Sequence, residues 1–409
     1  MFKHQEASEV DACVTVTASG NDRFQHLLES NPFALHDAIE SDNRDLAAAL
    51  LQCGADPNKV NKEGYTALHL STFQNNKDIL SELLQRGVNV KAKSKDGDTA
   101  LHITATLNSK EIAFMLLNSG ADFSLTNSKG NTPLHTAAWF GAKEIAVELI
   151  QRGADVVREN NNGNNALHLA CMSNCKEIAV ALLQCDTENT TNASVQVDVS
   201  ENGKRINGPA SLTAFVDKVN KSGDSPLHIA ALSNSQEIVD ELIKHGADIN
   251  AVNKSGYTPL HVSCSCNSKS IAVDLLKHKA DVNVLNKRGN TALHLACMSK
   301  SKDIILQLLQ HEARVNVSNE FGDTPLHLAA VENDTEIATV LIKHGAHVMA
   351  VNDKGNTALH LATKQKNEQL VAELLKSGSN CLVLNASDEH PIGLALKQKT
   401  ASLYSVMRD

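Results

Sequence analysis

Apolar residues along this chain fall in short blocks that return at a fixed interval, each opened by one tetrapeptide. It reads FALH at 33–36, TALH at 66–69, TALH at 99–102, TPLH at 132–135 and NALH at 165–168. It resumes as SPLH at 225–228, TPLH at 258–261, TALH at 291–294, TPLH at 324–327 and TALH at 357–360. The interval is 33 residues except for a step of 60 from His168 to His228, and HPIG at 390–393 keeps the register as a faded copy. Such a period marks a modular chain rather than a succession of unrelated domains.

Each module predicts a turn, a helix, a second turn and a second helix. Five residues before the reference histidine stand Gly64, Gly97, Gly130, Gly163, Gly223, Gly256, Gly289, Gly322 and Gly355, where a tight turn takes a positive φ. Thr or Ser three residues before the histidine is an N-cap, and Pro or Ala follows at the first helical position, as in Thr132–Pro133 and Thr324–Pro325. Asn75, Asn108, Asn174, Asn234, Asn267 and Asn333, with Gly141, fall six residues past the histidine and suit a left-handed helix end. A second helix then starts at caps such as Ser109, Ser235, Ser268 and Ser301. Its inward face is read at Ile112, Leu116 and Leu117, or Ile238, Leu242 and Ile243. Gly54, Gly87, Gly120, Gly153, Gly246 and Gly345 end it. One such pair cannot bury its apolar faces alone, so neighbours must stack and share a core.

The string G-x-T-P-L-H-x-A followed by E-I-A-x-x-L-L-x-x-G-A-D, nearly spelled out by Gly130–Asp155, resembles the ankyrin repeat over about residues 31–396. The resemblance implies an all-α ankyrin-repeat solenoid of about eleven stacked helix-turn-helix units with β-hairpin or turn fingers on one side. It also implies a concave surface of fingers and first helices where partners bind, and reference histidines that hydrogen-bond near the Thr and the next hairpin. The chain departs from the family pattern at the inter-helix turn, mostly Asn instead of Gly, with Lys300 and Lys366 in two copies. Asp388 and Gly393 replace Gly and His in the last copy, as a terminal capping repeat would.

The expected organisation is an N-terminal cap or flexible arm at 1–30, repeats 1–5 at 31–185, a polar insertion at 186–213, repeats 6–11 at 214–396 and a tail at 397–409. Phe24–Leu28 fit the second helix of an N-terminal cap. In the insertion, Val195, Val197 and Val199 alternate before Asn202–Gly203, a small hairpin signal within a Thr-, Asn- and Ser-rich stretch. A plain surface loop and a partner-contacting finger both fit it. Because the flanking modules are intact, one continuous stack with an excursion is expected. The tail shows no start of a further domain.

Composition narrows the function class. Hydrophobic residues make up 42% of the chain and aromatics 3%, so the core is aliphatic. A net charge of −9 argues against a nucleic-acid footprint. No apolar stretch approaches a membrane span or a signal peptide, so a soluble protein of the cytoplasm or nucleus is expected, with its nine cysteines as thiols. Signatures for phosphate cradles, nucleophile elbows and zinc proteases are missing, so neither a catalytic residue nor a cofactor is assigned. The 18 histidines and the cysteines follow the repeat rather than metal-ligand spacing, and no metal is expected. His245, His278, His311 and His344, again 33 apart near second-helix ends, suit the helix dipole and suggest stability that changes below about pH 6.5.

The variable surface carries the candidate site. Four and five residues past the reference histidine stand Phe73, Leu107, Trp139, Phe140, Met172, Leu232, Cys266, Met298 and Val331. These either face a partner-binding groove or pack between first helices as core. Trp139, the only tryptophan, and Phe140 are the strongest anchors for an interface. Finger tips add Tyr65 and Tyr257, with Lys62, Lys95, Lys129, Lys221, Lys254, Lys287 and Lys354, which are solvated or meet a partner with an acidic segment. The expected function is a monomeric protein-interaction scaffold or adaptor that binds other proteins. Alternatives are a masking inhibitor of a regulatory protein, or the recognition segment of a larger signalling enzyme, ubiquitin-ligase adaptor or channel.

Overall fold

The computed structural model describes residues 18–191, 215–398 and 400–408. Among them it contains 23 helices and no strand, grouped into two compact units that meet in sequence at Ser173 and Asn174. Val195–Gly203, where the sequence suggests a hairpin, lies outside the described residues.

In the first unit, α1 (Ala18–Ser30) precedes the pairs α2–α3 (Ala34–Glu40, Arg44–Gln52), α4–α5 (Ala67–Phe73, Lys77–Gln85), α6–α7 (Ala100–Leu107, Lys110–Asn118) and α8–α9 (Pro133–Phe140, Lys143–Gln151). α10 (Ala166–Met172) closes it. Helices α2, α4, α6, α8 and α10 pack in succession as one layer, and α1, α3, α5, α7 and α9 as another. α1, which holds Phe24–Leu28, thus takes the place of a second helix.

The second unit opens with α11 (Lys176–Thr191), which continues past residue 185. The pairs α12–α13 (Pro226–Leu232, Gln236–Lys244), α14–α15 (Pro259–Ser265, Lys269–Lys277) and α16–α17 (Ala292–Met298, Lys302–Gln310) follow. Then come α18–α19 (Pro325–Val331, Thr335–Lys343), α20–α21 (Ala358–Lys364, Glu368–Lys376) and α22–α23 (Pro391–Lys397, Ala401–Arg408). Here too first helices and second helices form separate layers of successive neighbours. Residues 401–408, assigned to a tail from sequence, are the second helix of the last repeat. They bury Leu403 and Met407 and pack on α21 and α22.

The core is the aliphatic set the period singles out. Leu101, Leu134, Leu227, Leu260, Leu293 and Leu326, each before a reference histidine, are at most 1% exposed. Burial of each is worth about 2–3 kcal/mol. On second helices the buried face runs i, i+1, i+4, as in Ile238, Val239 and Leu242. Ile243, read from sequence as inward, is half-buried instead.

The inter-helix turns keep their left-handed residue without glycine: Asn75, Asn108, Asn174, Asn234, Asn267, Lys300, Asn333 and Lys366 have φ between 51° and 59°. The serine caps differ from expectation. Ser109, Ser235, Ser268 and Ser301 occupy the N-cap without a side-chain hydrogen bond to the helix, whereas Asn43, Asn76, Asp334 and Asn367 accept one.

Two kinds of glycine separate cleanly. A Cβ on Gly256 (φ +80°) would meet the Lys287 backbone nitrogen of the next repeat at 2.6 Å, whereas one on Gly246 (φ +84°) meets nothing within 4 Å. Lys279 and Glu312 hold positive φ at second-helix ends, the place glycine takes in other copies.

The reference histidine joins each first helix to the next repeat. Its Nδ1 accepts from the backbone N–H of the N-cap, as in Thr258 N to His261 at 3.2 Å, and faces the Thr258 hydroxyl at 2.8 Å. This is a capping box with imidazole in place of Glu or Gln. Nε2 donates to a backbone carbonyl 29 residues on: His69 to Asp98, His102 to Asn131, His135 to Asn164, His228 to Tyr257, His261 to Asn290, His294 to Asp323, His327 to Asn356 and His360 to Glu389, at 2.9–3.2 Å. Phe33 lacks the hydroxyl in the first copy, and His36 Nδ1 is buried there without a partner.

Burial disfavours the charged ring and holds these eight histidines below the usual imidazole range, His135 and His294 at about 4. The unfolded chain, with imidazoles near 6.5, therefore binds more protons between those limits, so stability is full above about pH 6.5 and declines as pH falls toward 4. The expected pH sensitivity thus has a buried source in the reference histidines. His245, His278, His311 and His344 instead donate from Nδ1 to the carbonyl four residues earlier and close second helices.

Two outcomes are expected. Gly256→Ala should lower stability by about 3 kcal/mol or more and Gly246→Ala by about 1–2 kcal/mol in urea unfolding; equal losses would show that finger contact is not the constraint. Lowering the pH from 7.5 to 5 should lower the urea midpoint, and His294→Gln should remove about 2 kcal/mol of that loss. A midpoint indifferent to pH would refute the linkage.

Candidate functional site

In each unit the candidates lie beside fingers that are held by hydrogen bonds. All but one of the described fingers are closed by their own asparagine: in the first, Asn61 N donates to Tyr65 O at 2.9 Å and Tyr65 N to Asn61 Oδ1 at 2.8 Å, and in the second Ser94 takes that place. Successive fingers are then tied backbone to backbone. In the first unit Lys95 N donates to Glu63 O, Ser128 N to Asp96 O and Asn161 N to Lys129 O, at 2.8–3.1 Å. In the second, Lys254, Lys287, Glu320, Asp353 and Ala386 donate to Ser222, Ser255, Arg288, Phe321 and Lys354 at 2.9–3.1 Å.

Partly buried asparagine side chains make a parallel ladder. Asn127, Asn160, Asn253, Asn319, Asn352 and Asn385 donate Nδ2 to Asp98, Asn131, Asp224, Asn290, Asp323 and Asn356. Asn286 is the exception, because Tyr257 stands where the acceptor would be, and its Nδ2 has no partner. Recurrence of Asn eight residues before the histidine was the sequence signal for this ladder. The fingers are turns, not strands.

On this frame the first-helix candidates are exposed. Phe73 (42%), Leu107 (45%), Trp139 (49%), Phe140 (53%), Leu232 (59%), Met298 (49%) and Val331 (41%) stand at first-helix C-terminal ends. The core alternative fails for these seven, because their neighbours' side chains leave them in solvent. Met172 is half-buried, and Cys266 is exposed just past α14. In the first unit α8 packs between α6 and α10, so Trp139 and Phe140 lie between helices that end in Leu107 and Met172.

Tyr65 and Tyr257 are half-buried. The Tyr65 ring meets Phe73 edge-on at 5.2 Å and joins the first finger to α4, and the Tyr257 ring packs at 5.8 Å against His261. Burial first, then the carboxylates of Asp96, Asp98 and Glu63, hold the Tyr65 phenol above its usual range, so it stays a neutral hydroxyl.

Finger residues are also exposed and apolar: Val60 in the first unit, and in the second a row of Val219, Val252, Leu285, Val351 and Leu384, with 48–55% of each accessible. Sequence reasoning missed these residues, although they sit nine residues before the reference position in six copies. Near the end of the second unit Met349 and Leu382 widen the row.

Among the described residues no group of three or more His, Cys, Asp or Glu is arranged to hold a metal ion. Burial pushes the thiols of Cys171, Cys264 and Cys297 far up, which leaves them unreactive. None of the described helices is long and apolar enough to cross a membrane.

Stacked helix pairs with linked fingers define a repeat solenoid of the protein-interaction class. The model of ankyrin repeats, three copies long, matches residues 35–127, 108–193, 206–286, 229–319, 267–352 and 293–385, and the chain belongs to the ankyrin-repeat family. The crystal structure of the human ASB11 ankyrin repeat domain is similar over 61% of this chain and 99% of its own, at 26% identity and a TM-score of 0.49. No curated protein matches the chain.

If Trp139 is surface rather than core, Trp139→Ala should change unfolding free energy by less than about 1 kcal/mol, against about 2–5 kcal/mol for Leu134→Ala one turn earlier. A Trp139→Ala loss as large as that of Leu134→Ala would return the residue to the core.

Proposed function

We propose that the chain is a scaffold or adaptor that binds partner proteins along the exposed ends of its first helices and its fingers, with Trp139 and Phe140 as the principal anchor. The observation that carries this reading is that two adjacent large aromatics are each about half exposed, 49% and 53%, beside a core in which the leucine before the reference histidine is buried. Neither residue is needed to hold α8 in place, since Leu134, Ala137 and Ala138 supply its buried face. Water-exposed aromatics lose much unfavourable hydration when a partner covers them, and such residues dominate interface energetics. The reference histidines, finger glycines and asparagines maintain the shape, while the residues between them select the partner. Binding, not catalysis, is the proposed activity.

Affinity capture from native lysate, wild type beside Trp139→Ala/Phe140→Ala, tests this. Partners retained by the wild type should be lost or weakened by about 1–3 kcal/mol per anchor, with circular dichroism and melting unchanged. Equal retention by both proteins would remove these residues from the interface.

A further inference from the structure

We propose that the first three fingers of the second unit dock an extended peptide segment of a partner protein in which apolar residues alternate with carboxylates. The proposal rests on the reading of this chain as a protein-binding module, but it uses a different surface from Trp139 and Phe140. Three fingers in succession carry a triplet of one pattern, apolar-Asn-Lys: Val219-Asn220-Lys221, Val252-Asn253-Lys254 and Leu285-Asn286-Lys287. In each, the central asparagine is turned into the finger, where its Oδ1 accepts from the finger's own backbone: from Ser222 N and Asp224 N, Ser255 N and Tyr257 N, Arg288 N and Asn290 N. The residues on either side are exposed, an apolar one at 48–55% and a lysine beyond it. Each finger therefore offers a hydrophobic contact and a cation at a fixed separation.

The fingers cannot drift apart. Lys254 N donates to Ser222 O and Lys287 N to Ser255 O, both at 3.1 Å, and Lys254 Nζ adds a bond of 2.7 Å to Lys221 O, which leaves two of its N–H donors for a ligand. Of the nearby acids, Asp224 is engaged by Asn253 Nδ2 at 2.7 Å. The strip ends sharply, because Glu320 and Asp353 take the lysine position in the next two fingers. Arg288 Nε lies 3.9 Å from Glu320 at that border. A local run of cations on a chain of net charge −9 attracts acidic segments from a repulsive background and so adds selectivity.

Spacing gives the ligand's period. Packed helices lie about 8–10 Å apart, and an extended chain in the polyproline II form rises about 3.1 Å per residue with about three residues per turn, so one finger spans about three ligand residues and every third side chain faces it. The matching ligand repeats apolar, any, acidic.

A fluorescein-labelled twelve-residue peptide, Leu-Ser-Glu repeated, titrated with the full chain by fluorescence anisotropy, tests the idea. The same peptide with Lys for Glu, with Ser for Leu, and a labelled thymidine dodecanucleotide are the comparators. The Glu peptide should bind at least tenfold more tightly than each of them, and weaken at least tenfold on Lys254→Glu/Lys287→Glu and on Val252→Ser/Leu285→Ser. Circular dichroism should confirm that both variants are folded; if either is not, Lys254→Gln/Lys287→Gln and Val252→Thr/Leu285→Thr serve instead. Equal binding of the Glu and Lys peptides, tighter binding of the oligonucleotide, or indifference to the variants would overturn it. Trp139→Ala/Phe140→Ala should bind the peptide as wild type does, so loss of this site and loss of the first-helix anchor are read separately.

Discussion

One buried imidazole in every repeat but the last ties local structure to assembly. On one side of the ring, Nδ1 accepts a hydrogen bond from the N-cap's backbone N–H and fixes where the first helix begins. On the other, Nε2 reaches a carbonyl of the next finger, as His294 does to Asp323. Both bonds require the neutral ring with its proton on Nε2, because a carbonyl can only accept. Helix start, finger position and repeat-to-repeat spacing therefore share one protonation state. The glycines of the fingers complete the fit by letting the next backbone approach to within 3 Å of where a Cβ would sit, as Gly97 and Gly355 do.

What the sequence made legible is what the period dictates. Turn glycines, left-handed asparagines, N-capping threonines and the leucine before each histidine have a local physical reason to be where they are. Less legible were features that depend on the neighbour. Ser109 and Ser235 look like caps, yet make no capping bond, because residue type says nothing about which way a hydroxyl turns. The asparagine ladder and the finger row of Val219, Val252 and Leu285 recur with the same period, but alternation within a turn does not say which side chain faces inward. Residues 401–408 stand where the period places a second helix after HPIG, but that copy has lost the reference histidine, so the helix is established by its packing on α21. The exposure of Trp139 and Phe140 likewise depends on what α6 and α10 leave uncovered.

Recognition and shape are carried by different residues. Positions that repeat most closely are buried or bonded: Thr258, Leu260 and His261 are at most 1% exposed. Positions that vary lie at first-helix ends and on finger flanks, where Phe73, Trp139 and Leu232 share an address but not a shape. Exchange at those addresses alters what the surface can hold without touching a bond between repeats. Exposed apolar residues so placed are costly in isolation, since each adds to the area available for unspecific association. The lysines beyond Val219, Val252 and Leu285 keep that row in contact with water.

Each finger bond and histidine bond reaches only to the adjoining module, and the asparagine ladder does the same. An unequal crossover in the coding sequence that removes or duplicates 33 residues in register would leave a junction chemically identical to those already present. Chain length is accordingly a heritable variable that can change without redesign of the core. A repeat added this way would bring its own pair of surface addresses, so the count of repeats and the breadth of the recognition surface would grow together.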